Sequence, residues 1–103
     1  MKIAEFYDYL EIQPRCNNRF MLRKGMVNSE EDLLNFNRKV VEIGRRMGKP
    51  VAATCDAHYL NEEDYIYRNI IMAAHGFKEL DEEPSLYLKT TDEMLAEFAY
   101  LGE

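Results

Sequence analysis

Residues 28–54 read NSEEDLLNFNRKVVEIGRRMGKPVAAT, and this stretch decides the fold class. Asn28 and Ser29 offer an N-cap, and Glu30, Glu31 and Asp32 would then lie in the first turn, facing the positive end of the helix dipole. Leu33, Phe36, Val40, Ile43 and Met47 recur at helical spacing and predict one apolar face. Arg45 and Arg46 suit the last turn, Gly48 a left-handed stop, and Pro50 forbids continuation. Val51 to Thr54 is short and apolar, as a buried strand would be.

Upstream, Phe6 to Gln13 is rich in aromatic and β-branched residues, with Tyr7, Tyr9 and Glu11 alternating with Leu10 and Ile12. This predicts a strand that stops at Pro14. Arg15 to Arg19 is a polar loop, and Phe20 to Val27 reads as a short strand or hairpin arm around Lys24-Gly25. The order strand, connection, helix, strand favours a βαβ unit with parallel strands. Downstream, Asn61 caps a second helix that opens on Glu62, Glu63 and Asp64 and runs through Ile66, Ile70 and Ala74 to Gly76. An acidic loop from Glu79 to Glu83 leads to an extended piece at Leu86-Tyr87-Leu88. Thr90 and Glu93 then form a capping box for a third helix, with Met94, Leu95, Phe98 and Leu101 apolar. The expected architecture is α/β, with two to three strands and three helices. The chain stops as that last helix stops, as a piece of something longer would.

With 103 residues there is room for one modest core, and 47% hydrophobic with 31% charged residues is a globular balance. No run approaches the ~20 apolar residues of a membrane span, and the N-terminus lacks a secretory apolar core. A cytoplasmic protein with no membrane partner is expected. Cys16 and Cys55 form no CxxC pair and are expected as reduced thiols. The net charge of −6, with basic residues scattered, argues against a self-sufficient nucleic-acid binder, since phosphate contacts need clustered Lys and Arg. DNA, if it is a partner, must be held by other parts of a larger assembly.

The one constellation suited to chemistry is Thr54-Cys55-Asp56-Ala57-His58-Tyr59, just past the predicted second strand. In α/β folds that rim is where sites are built. Asp56 and His58 would point the same way if the backbone stayed extended, and a carboxylate with an imidazole suits a divalent metal. An Asp-x-His after a strand is also common as plain structure, with Asp56 bonding loop amides and His58 at the surface, and spacing alone favours that reading. His75 is expected to interact with the end of the second helix, and Glu11 to be solvated or paired. Cys55 has a carboxylate neighbour, which disfavours the thiolate a nucleophile needs. The aromatics at Tyr65, Tyr67, Phe98 and Tyr100 read as packing. No GxxxxGKS/T, GxGxxG or GxSxG motif occurs, so no catalytic or cofactor-binding residue is assigned.

Residues 50–60, PVAATCDAHYL, resemble the "PVVATGDVHYL" stretch of the PHP (polymerase and histidinol phosphatase) domain of bacterial DNA polymerase III α subunits. Residues 7–14 (YDYLEIQP) look like the same string in the PolC-type family of Gram-positive bacteria. Residues 61–68 resemble its "NPEDKIYR", and residues 90–102 its "TTDEML..F.YLG". These co-linear matches cover nearly the whole chain.

The resemblance implies a partial (βα) barrel of PHP type, with residues 1–103 forming the C-terminal portion of that domain after an inserted exonuclease. It implies that Asp56 and His58 are metal ligands, the last two of a set whose earlier members lie elsewhere, for divalent Zn, Mn or Mg held weakly or not at all by this chain alone. Partners would be the rest of the PHP barrel and, through a parent DNA-directed DNA polymerase with 3′–5′ exonuclease, DNA and replisome subunits. Two ligands make no tight cage, and a barrel slice leaves edges and an apolar face open. The isolated chain is therefore expected to be inactive and to self-associate. Cys55 departs from the usual Gly there, and Ala57 replaces Val. The competing readings are a small acidic interaction domain and a piece of a PHP-family phosphoesterase.

Overall fold

A computed structural model describes residues 2–76 and 84–102. The expected βαβ unit is present. Strand β1 (Leu10–Ile12) lies parallel to β2 (Val51–Ala53), with Leu10 opposite Val51 and Ile12 opposite Ala53. Helix α3 (Glu30–Met47) makes the crossover, and its end is closed by Gly48 at φ 65°, a left-handed position that glycine adopts without a Cβ penalty. Lys49 then sends its ammonium onto the carbonyls of Ala4, Glu5 and Tyr7 at 2.7, 2.8 and 2.5 Å. That cation holds the C-terminal end of a short first helix, α1 (Lys2–Phe6).

Several expectations need correction. The first strand does not run from Phe6 to Gln13: residues 2–6 are helical and pairing begins at Leu10, because β2 offers only three partners. Residues 20–27 form no strand or hairpin arm; Phe20–Arg23 is a single helical turn, α2. Ser29 occupies the N-cap position of α3 but makes no side-chain cap bond. The Asp32 carboxylate instead accepts from the Asn28 N–H at 3.0 Å.

The buried face of α3 is also rotated from the predicted stripe. Leu33, Leu34, Asn37 and Gly44 are buried, while Phe36 is 48% exposed. The core is small: Ile12, Leu33, Leu34 and Phe98 are its buried apolar side chains among the described residues, with Pro14 fully enclosed. Asn37 sits in it with its amide satisfied, donating to Gln13 O at 2.8 Å and Tyr100 Oη at 2.9 Å.

The second and third helices open as anticipated. Asn61 and Asp64 form a capping box over the turn Glu62–Asp64, which runs into α4 (Tyr65–Ala74). Thr90 and Glu93 form the other, with Thr90 Oγ1 accepting from Glu93 N at 3.2 Å, opening α5 (Thr91–Glu97). The extended piece at residues 86–88 forms a parallel bridge between Tyr59 and Tyr87. The acidic loop expected at 79–83 lies outside the described residues. Arg15 ties α5 to the loop after β1: its N–H and Nε both donate to Glu97 Oε1, at 3.0 and 3.2 Å. Its guanidinium lies 5.7 Å from the Tyr100 ring centroid, with that of Arg38 at 5.3 Å. No helix among the described residues is long and apolar enough to cross a membrane. The fold is thus mixed α/β around a two-stranded parallel sheet.

Candidate functional site

The segment after β2 is held from three directions. Thr54 N–H continues the ladder to Ile12 O at 3.0 Å, and its hydroxyl donates to the Glu11 carboxylate. That bond, with a second from Gln13 at 3.0 Å, holds the Glu11 carboxyl below its usual range. Asn17, from the turn after Pro14, donates to Cys55 O at 3.1 Å. Beyond the loop, His58 N–H and Tyr59 N–H both donate to Leu86 O, at 2.7 and 3.3 Å. Tyr59 Oη accepts from the N–H groups of Ser85 and Leu86, each at 3.1 Å. Asn17 and Ser85 were not singled out in the sequence as parts of this site; each acts through contacts remote along the chain, which local spacing does not show.

Between these anchors the chain is not extended. Asp56 has φ 52°, the left-handed region, in which Asp is tolerated far better than most non-glycine residues. The alternation that would have put Asp56 and His58 side chains on one face is therefore broken. What joins the two residues is the main chain: His58 Nδ1 lies 2.7 Å from Asp56 O. A carbonyl only accepts, so this ring nitrogen is the donor, and in the neutral ring Nε2 then keeps its lone pair. Asp56, Ala57 and His58 are all exposed. No group of three or more His, Cys, Asp or Glu side chains gathers here or elsewhere among the described residues. Asp56 and His58 offer one hard oxygen and one imidazole nitrogen as donor types, too few to close a coordination sphere.

The other candidates are accounted for locally. His75 Nδ1 lies 3.0 Å from Ile71 O at the end of α4, as expected of a C-terminal partner. Cys16 and Cys55 are free thiols, both half-buried, with Cys16 Sγ 3.6 Å from Asn17 Oδ1. Phe98 is buried and Tyr65 and Tyr100 half-buried, but Tyr67, expected in packing, is exposed. A groove of about 640 Å³ that no motif announced lies between the two capping boxes, lined by Asn61, Glu62, Tyr87, Thr90 and Glu93. Burial, a hydrogen bond to Glu62 and the charges of Glu62 and Glu93 push the Tyr87 phenol up to about 12.

No family model matches the chain. Among curated proteins it is 55% identical over 102 residues to "DNA polymerase III PolC-type" of Clostridium perfringens, a match covering 99% of this chain and 7% of that protein. It is 47% identical to the protein of that name from Halalkalibacterium halodurans and 42% identical to that from Bacillus subtilis, over 99% and 98% of this chain and again 7% of each relative. The chain therefore spans about 7% of the length of the relatives it matches.

Proposed function

We propose, from the premise that this chain belongs to the PolC-type DNA polymerase III family as one segment of it, that it supplies one edge of a divalent-metal site in a replicative DNA polymerase. The observation that carries this is the Asp56–His58 loop, exposed at the C-terminal end of parallel strand β2. In α/β architectures that end is where ligand-binding side chains converge. The parent domain is of PHP type, with residues 1–103 forming its later part, and the remaining metal ligands come from the rest of that barrel. DNA synthesis, DNA contact, replisome partners and a cytoplasmic location belong, on this reading, to the parent polymerase. The chain's own net charge of −6 is consistent with DNA being held elsewhere.

Asp56 and His58 would hold the metal, which when bound supplies Lewis acidity toward a phosphate ester. What the chain itself does is narrower. Asn17 and Leu86 pin the two ends of the loop, and Asp56 takes the left-handed turn that presents His58. The test is isothermal titration of the chain with Zn²⁺ and Mn²⁺. Weak binding is expected, abolished when Asp56→Ala and His58→Ala are combined. Tight binding that survives the double substitution would overturn the site assignment.

A further inference from the structure

We infer that the main-chain carbonyl of Asp56 is a positioning group: it locks the His58 ring as the Nδ1–H tautomer and turns Nε2 outward as the nitrogen available to a metal. This rests on the metal-site reading above for what Nε2 meets, but not for the lock itself. The carbonyl lies 2.7 Å from Nδ1, well inside hydrogen-bond range, and has no proton to give. The neutral ring carries one proton, so Nε2 is left bare. Metal-binding histidines commonly donate their other ring N–H to a carboxylate or backbone carbonyl, which fixes both tautomer and orientation.

The lock depends on two features of this chain. One is the left-handed turn at Asp56, φ 52°, the residue whose carbonyl meets the ring two residues on. The other is the His58 N–H bond to Leu86 O at 2.7 Å, which holds the backbone from which the ring projects. Asp56 therefore has two separable roles: its carboxylate for the metal and its backbone for the histidine. Asp56→Gly removes the first and keeps the second, because glycine adopts the left-handed region freely. Asp56→Val disrupts the second, because a β-branched residue resists that region.

The experiment is a long-range ¹H–¹⁵N correlation spectrum of the ¹⁵N-labelled chain with its imidazoles neutral, before and after addition of Zn²⁺ alone. His58 is expected to show a protonated Nδ1 and an unprotonated Nε2, the latter moving on addition of Zn²⁺. Asp56→Gly should keep this pattern. Asp56→Val should lose it and bind Zn²⁺ about 10- to 100-fold more weakly than Asp56→Gly, which lacks the same carboxylate, the range seen when an orienting partner is removed. A His58 ring protonated at Nε2 in the unmodified chain overturns the inference without recourse to any variant, as does Asp56→Val retaining the Nδ1–H form. An Nδ1–H ring that ignores Zn²⁺ supports the lock and defeats only the metal reading on which its use rests.

Discussion

At Gly44 the missing side chain matters more than any present one. A Cβ built there would meet Val51 Cγ2 at 2.4 Å and Lys49 O at 3.1 Å, so α3 reaches β2 at this point only because the residue is glycine. Alanine would gain about 1 kcal/mol of helix propensity. It would also overpack a contact whose neighbours are a short branched side chain and a backbone carbonyl, a cost of about 1–3 kcal/mol. The clash should win, and Gly44→Ala is expected to lower the urea midpoint of unfolding with an unchanged slope. Asn37 poses the opposite problem, a polar group in the core that is tolerated because both its bonds are made. The helical period at residues 33–47 was legible as a pattern, but which side of it faces inward was not. Burial of Asn37 in place of Phe36 depends on Gln13 and Tyr100, neither of which is near in sequence.

Among the elements, the two capping boxes are the parts that local sequence specified completely. Each is closed within four residues, Asn61 with Asp64 and Thr90 with Glu93; the second formed as read, and at the first the sequence reading had the Asn61 cap but not its return bond from Asp64. Their juxtaposition across Tyr87 was not readable, because the Tyr59–Tyr87 bridge that brings them together is tertiary. It creates a pH response with a definite sign. The Tyr87 phenol is raised from an ordinary 10.0 to about 12, so its contribution to stability is full below about pH 10 and is lost as pH climbs towards 12. The native chain should therefore lose more stability across that window than Tyr87→Phe does, as measured by denaturant unfolding at each pH. Phenolate absorbance should show one tyrosine titrating late, and Glu62→Gln should bring it earlier. Equal losses in the two proteins would mean that Tyr87 is not held by the two glutamates. The first strand marks where element reading failed. Tyr7 and Tyr9 have strand propensity but no strand opposite them among the described residues, and a ladder extends only as far as its partner.

For the molecule as a whole, the balance between core and surface is unusual. The Cα radius of gyration is 15.3 Å, against about 13 Å for a compact domain of about 100 residues. Helix α4 has no buried residue, and Ile66, Tyr67, Ile70 and Ile71 are each more than half exposed. Leu60, Leu88 and Leu95 add to the exposed apolar surface. Apolar surface of this extent is unfavourable in water and is expected to drive association. Sedimentation velocity of the isolated chain should show species larger than a monomer as concentration rises, and Ile66→Lys with Ile70→Lys should shift the distribution back towards monomer. A monomer at every concentration would count against that surface being adhesive.

By itself the sequence determined the elements whose causes are local: the crossover helix and its glycine stop, the Asn61 cap and the Thr90–Glu93 capping box, and the βαβ order that makes the sheet parallel. It also carried the family, with 55% identity to a relative over 99% of the chain. The tertiary structure decided what depends on contacts distant along the chain. Partner length trimmed the first strand, and Gln13 and Tyr100 chose the inward face of α3. Asn17 and Leu86, anchoring opposite ends of one loop, frame the left-handed turn at Asp56 that hands His58 a carbonyl in place of a parallel carboxylate. Periodicity and capping report interactions within a few residues, whereas burial and loop geometry are set by groups that meet only once the chain has folded.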